Sequence, residues 1–161
     1  MVTTEKGAVF SPDRSYRYRL WRIWDASRPI ALFVGLNPST ADETCDDPTV
    51  AKCVSYARAW DYGGMYMGNL FALMSTDRSA LQRHSDPIGA ENDPHLLALS
   101  ESAAIVIAAW GNEGAYLGRS EAIRKLLPNL HYLKLNKTGE PAHPLYLAGT
   151  LKPMPWDGGH A

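Results

Sequence analysis

PIALFVGLNPSTAD, residues 29–42, is the stretch from which the fold is read. Ile30 to Val34 is a continuous apolar run rich in strand formers, and Gly35 ends it. An apolar run without alternation suits a strand buried on both faces, as in a parallel sheet covered by helices. Gly35-Leu36-Asn37-Pro38-Ser39-Thr40 follows directly: a backbone-permissive residue, then small polar groups on a rigid proline. In parallel sheets, ligands gather at loops leaving the carboxyl ends of strands. The segment therefore fits either a candidate site or an ordinary strand-to-helix turn.

The 161 residues suit one domain with room for a real core. Hydrophobic residues make up 45% and charged residues 20%, ordinary values for a soluble globular protein. The longest apolar runs, such as Ala103 to Trp110, are too short to span a bilayer. No cationic-plus-apolar leader opens the chain, so a cytoplasmic location without membrane association is expected. Cys45 and Cys53 match no zinc spacing, and two helical turns would separate them, too far for a disulfide. A net charge of −1 argues against a grip on long duplex DNA through many phosphates. It leaves a small ligand or a short nucleic-acid contact. Arg14, Arg17, Arg19, Arg22 and Arg28 crowd the first thirty residues, where alternation through a strand reads as a solvated face.

Ala8 to Trp24 reads as an antiparallel hairpin turning at Ser11-Pro12-Asp13 and packing beside the main sheet. Asp47-Pro48 is a helix start, cap then proline, with Val50, Cys53, Val54 and Ala57 at helical spacing and Tyr62-Gly63-Gly64 as the stop. Met65 to Phe71 is a second buried strand ending on Asn69. A short helix over Asp77 to Arg83 precedes a second cap-plus-proline start at Asp93-Pro94, for a helix through Leu99. Ala103 to Ala109 is a third strand, Gly118 to Leu127 a helix, and His131 to Leu135 a fourth strand. The Pro- and Gly-rich tail carries little structural signal. Strands alternating with helices predict an α/β fold, a three-layer α/β/α sandwich with a central four-stranded parallel sheet plus the N-terminal hairpin.

That arrangement brings four unusual loops to one rim: GLNPST, GNLF, WGNEG and HPLY. Asn37 is a neutral group able to orient water, or a cap for the turn into the helix. Asp42, the nearest carboxylate, fits either water activation or helix entry. Asn69 offers an acceptor and donors, the pair needed to read an amide-like base edge, unless neighbouring backbone satisfies it. His143 is the first histidine after the fourth strand, in the HPLY loop. It could donate to a carbonyl as negative charge develops there, an effect of about 3 kcal/mol. Trp110 reads as core at a strand end or as a pocket wall. His84, His95, His131 and His160 show no ligand spacing, so no structural metal is expected. Asp42, Glu43, Asp46 and Asp47 could hold magnesium with a phosphate substrate, or simply favour the positive end of a helix. There is no Gly-rich lysine loop and no Gly-x-Ser-x-Gly elbow, and no cofactor is expected.

These motifs resemble the uracil-DNA glycosylase superfamily in order and placement. GLNPS, Gly35 to Ser39, is similar to the Gly-hydrophobic-Asn-Pro-Gly motif of its mismatch-specific branch, with Ser39 in place of glycine. Asn69 stands where several branches carry the asparagine that reads the base edge. Trp110-Gly111 is similar to the pair ending the third strand, and His143-Pro144 to the start of the terminal His-Pro-Ser-Pro motif, here continued by Leu145-Tyr146. Phe71 and Tyr62 are the available substitutes for the aromatic that stacks the flipped base. From YRYRLWRIW through GLNPSTAD and DDPT to HPLYL, nearly the whole chain also resembles a bacterial and phage family of unknown function, DUF1643.

The glycosylase resemblance implies a base-directed hydrolase acting on DNA or on a free nucleotide. Asn37, His143 and Asp42 would be catalytic; Gly35, Leu36, Pro38, Ser39, Thr40, Asn69, Phe71, Trp110, Asn112 and Tyr146 would bind substrate. Two rivals stand beside it: a non-catalytic module binding a nucleotide or modified base in the same pocket, and magnesium-dependent phosphohydrolysis through the Asp42 to Asp47 acids. The oligomeric state has no signature in the sequence.

Overall fold

The structure, a computed structural model, describes residues 4–156. Its centre is β3 (Ile30–Gly35), whose side chains alternate between two cores despite an unbroken apolar sequence. Leu32 and Val34 join one core, with Leu70, Phe71, Val106 and Ala108. Leu96 and Leu99 of α3 (Asn92–Ser102) and Ile123 of α4 (Arg119–Leu126) complete that core. Ala31 and Phe33 join the other, with Val50, Cys53, Tyr56 and Ala57 of α1 (Pro48–Ala59). Each large side chain buried this way contributes about 1.5–3 kcal/mol. Both faces of β3 are thus covered, as the continuous apolar run requires.

The fold is mixed α/β around a seven-stranded sheet. Its remaining strands are β1 (Glu5–Phe10), β2 (Arg17–Ile23), β4 (Gly64–Asn69), β5 (Ile105–Ala108), β6 (Leu130–Tyr132) and β7 (Met154–Pro155), in the spatial order β1-β2-β4-β3-β5-β6-β7. The pairs β4·β3, β3·β5 and β5·β6 are parallel; β1·β2, β2·β4 and β6·β7 are antiparallel. The sheet is larger than the sequence suggested. The hairpin β1–β2 does not pack beside it but extends it, through β2 pairing with β4. The tail, unreadable in sequence, supplies the edge strand β7.

Local signals carried the elements with small shifts. Asp47 caps α1 through Oδ1, which accepts from the Val50 amide at 2.8 Å, with Pro48 at the first helical position. The helix ends at Ala59, ahead of the expected glycine stop, where Asp61 takes a left-handed conformation. α2 shrinks to Ala80–Arg83 because Asp77 spends its carboxylate on the Ser79 amide and hydroxyl just before it. Asp93 does not cap α3. Its carboxylate reaches the buried Arg119 guanidinium at 2.7 Å instead.

The arginines of β2 reverse the expectation of a solvated face. Arg17 and Arg22 are 2% and 1% exposed. The β1·β2 register shifts between Val9 and Phe10, so Arg17 pairs Phe10 while Arg19 pairs Val9. A bulge of this kind disturbs the strict alternation of faces. Arg17 and Arg22, five residues apart, both reach the Ala41–Asp46 segment: Arg17 donates to the Ala41 carbonyl, and Arg22 to the Asp42 and Cys45 carbonyls and the Asp46 carboxylate. Both cysteines are free, Cys53 buried and Cys45 exposed. Among the described residues, no helix is long and apolar enough to cross a membrane.

Candidate functional site

At the carboxyl ends of β3 and β4, Gly35 pairs Asn69 across the parallel ladder. The chains continue side by side beyond the strands, with Leu70 N donating to Gly35 O, Phe71 N to Leu36 O and Ser75 N to Pro38 O. This extended ladder fixes the GLNPS segment as a wall. Against it lies a small cavity of about 30 Å³. That volume holds about one water. It is lined by Gly35 to Ser39, Asn69 and His143 from the sequence-selected set, together with Arg17, Asp47, Thr49, Val50 and Met67.

The polar groups meeting there are unevenly used. Asn37 Nδ2 donates to the carbonyls of Pro38, Leu73 and Ser75, at 3.1, 3.4 and 3.0 Å. Those three acceptors fix the amide's orientation and leave Oδ1 without a protein partner among the described residues. The Asn69 side chain is almost fully buried and, among the described residues, makes no hydrogen bond; its main-chain oxygen takes the Asn92 amide at 2.9 Å. Gly35 gives these side chains room, because a Cβ there would stand 2.8 Å from Asn69 Oδ1 and 2.9 Å from Met67 Cε and would oblige them to shift. His143 Nδ1 accepts from the Leu145 amide at 3.2 Å, closing a short 3-10 turn over Pro144–Tyr146. That bond leaves the proton of a neutral ring on Nε2. Burial, seconded by the charge of Arg78, pushes the imidazole below its ordinary pKa against the pull of Asp47 and Glu113. His143 is thus a neutral N–H donor at pH 7.

Asp47 is the carboxylate in the cavity wall, and both its oxygens are engaged, Oδ1 by the Val50 amide and Oδ2 by the Ala41 amide at 3.3 Å. Arg17 lines the same cavity, with NH1 on the Ala41 carbonyl at 3.0 Å and Nε without a partner. Burial lowers its pKa to about 10, Asp47 pulls it up and Arg22 lowers it further; it stays cationic at neutral pH.

Other sequence-selected residues lie elsewhere. Asp42 closes a local turn: its Oδ1 accepts from the Thr44 and Cys45 amides at 2.9 and 2.8 Å, which holds the carboxyl below the usual range. Thr40 is exposed on the loop. Phe71 is core, its ring 5.8 Å from Tyr116, and Tyr62 packs with the α1-side core. Trp110 is fully buried and donates through Nε1 to Glu140. Asn112 accepts from Asn136 and Thr138 at the surface, and Tyr146 is 89% exposed. The acids read as a possible magnesium cluster are dispersed: Glu43 pairs Arg14, Asp46 pairs Arg22, and Asp42 and Asp47 serve the turn and the cap. Among the described residues no group of three or more His, Cys, Asp or Glu could hold a metal ion. A larger cleft of about 850 Å³, walled by Glu140, Arg124 and Trp156, contains none of the selected residues.

The residues missed by sequence reading are Arg17, Thr49, Val50 and Met67, with Asp47 read as a helix cap or a magnesium ligand. The Asp47-Pro48 signal marked where α1 starts, and the structure puts that first turn in the cavity wall. Nothing in the spacing of the β2 arginines signalled that one of them turns inward.

Fold and site together define a mixed α/β protein with a small polar cavity at the ends of two adjacent parallel strands. The chain belongs to a family described as protein of unknown function (DUF1643), whose model matches residues 17–145. That span opens at Arg17 and closes two residues past His143, enclosing every residue of the cavity. No curated protein and no solved structure matches the chain, so the glycosylase resemblance gains no support from relatives.

Proposed function

We propose that this chain hydrolyses the bond between a nucleobase and its sugar, in DNA or in a nucleotide. The observation that carries the reading is that Asn69, whose carboxamide has no protein partner among the described residues, lines one cavity with Asn37 and the neutral imidazole of His143. Asn69 presents a donor and an acceptor to a base edge, and among the described residues no hydrogen bond within the protein engages either. Asn37 Oδ1 accepts from the attacking water and orients it on the anomeric carbon. The water oxygen bonds to that carbon as the carbon–nitrogen bond breaks. The electron pair leaves with the base, and the water's proton passes to solvent. His143 Nε2–H steadies the negative charge arriving on a base carbonyl. The fold reading that accompanies this mechanism is a three-layer α/β/α arrangement of the glycosylase kind, supported by helices against both faces of β3. Because a pyrimidine ring exceeds the cavity, docking displaces part of the Pro38–Ala41 wall.

A second reading, non-catalytic recognition of a nucleotide or modified base, is favoured by one observation: Asp47, the carboxylate of the cavity, has both oxygens occupied and is no general base. Incubation with uracil-containing and modified-base oligonucleotides, and with the matching nucleotides, separates the two. Released base, lowered at least a hundredfold by Asn37→Ala, is the expected result. Ligand-dependent thermal stabilisation without release identifies the binder; neither effect with any substrate removes both readings.

A further inference from the structure

One buried donor, on a residue that lines the cavity, is unused by the reaction above. Arg17 is nine-tenths and more buried, carries a full charge, and leaves Nε–H without an acceptor. Buried charges are ordinarily paired and hydrogen-bonded, because an isolated one loses its hydration without return. Arg17 has no carboxylate within ion-pairing distance among the described residues; its bonded partner is the Ala41 carbonyl. The first turn of α1, a twelve-residue helix, lines the same cavity. Thr49, second in that helix, has a backbone N–H and a hydroxyl with no protein partner among the described residues, and Ser39 adds another free hydroxyl. The positive end of a helix adds to the same field. Against these stand the Asp47 carboxylate, whose oxygens face the Val50 and Ala41 amides, and the neutral His143.

We infer that the cavity is an oxyanion site, with Arg17 Nε–H and the Thr49 end of α1 receiving one anionic oxygen of the ligand. The inference goes beyond base hydrolysis and does not depend on turnover. An anionic oxygen could come from a phosphoryl group or from an ionised oxo-pyrimidine. Entry of either moves the Ala41 segment that Arg17 holds, since the cavity is of water size.

Three probes distinguish the sources by calorimetry and thermal shift on the full chain at constant ionic strength: orthophosphate, barbiturate (an oxo-pyrimidine ionised at neutral pH) and neutral uracil. Saturable orthophosphate binding assigns a phosphoryl oxygen. Barbiturate binding at least tenfold tighter than uracil assigns an ionised base. In either case Arg17→Gln weakens the anion at least tenfold. Because Arg17 also holds Ala41, Asp47→Asn provides a second test that keeps Arg17 and leaves an oxygen to cap α1. It tightens the anion severalfold by removing an opposing charge. No saturable binding of either anion up to 10 mM (about −2.7 kcal/mol), or anion affinity unmoved by both substitutions, overturns the site. Base release without anion binding would leave the hydrolase reading intact and remove this one.

Discussion

His143 shows how one side chain is set by what surrounds it. Its Nδ1 is occupied by the Leu145 amide and its ring is half-buried near Arg78, so the charged form is disfavoured in the folded chain. The ordinary value for the unfolded chain is 6.5, and the folded value lies below it. The unfolded state therefore binds more protons between the two values. Stability is complete above pH 6.5 and falls as the pH drops through that value toward the folded one. His95, lowered by burial and by Arg19, acts in the same direction. Urea unfolding between pH 7.5 and 5 is expected to show this loss, with a shallower slope in His143→Gln. An unchanged slope would mean that the ring titrates alike in both states. Asn37 is the contrasting case: three carbonyls fix its amide, and its orientation needs no help from titration.

Among the elements, the close approach of β3 and β4 decides the site more than any single loop does. Gly35 lets the Asn69 carboxamide come close to the neighbouring strand. Gly35→Ala is expected to cost about 1–3 kcal/mol, the range for overpacking a filled core. Its effect on ligand binding should be larger, because Asn69 Oδ1 stands where the new methyl goes. A stable Gly35→Ala protein that binds ligand as the parent does would show that Asn69 is not in the site. β3, β4 and the capped start of α1 were legible because each rests on local chemistry: apolar continuity, a glycine stop, Asp before Pro. The convergence of Asn37, Asn69 and His143 followed from the order of strands and helices. The inward turn of Arg17 was not legible. A period-two reading puts residues 17 and 22 on opposite faces, and the bulge opposite Val9 and Phe10 undoes that assignment. Asp93 misled for a related reason, since its partner Arg119 lies 26 residues away and outweighs the local cap.

For the whole molecule, the N-terminal hairpin and the rim form one mechanical unit. Arg22 donates to Asp46 at 2.7 Å, Asp42 O at 2.7 Å, Cys45 O at 3.1 Å and its own strand at Trp21 O, with almost no exposure. Arg22→Met leaves these acceptors without their donor and is expected to cost about 3 kcal/mol or more. Denaturant unfolding measures that cost, and limited proteolysis should newly cut between Ala41 and Asp46. A variant within about 1 kcal/mol of the parent and resistant there would make the hairpin a mere sheet extension. A fragment beginning at Pro29 would keep the GLNPST, GNLF, WGNEG and HPLY segments yet leave the polar loop slack, its two guanidinium moorings gone. Grafting a hairpin from one family member onto another should accordingly reset how tightly that loop is held, making the amino-terminal ribbon an engineering handle on a rim to which it contributes a single cavity side chain.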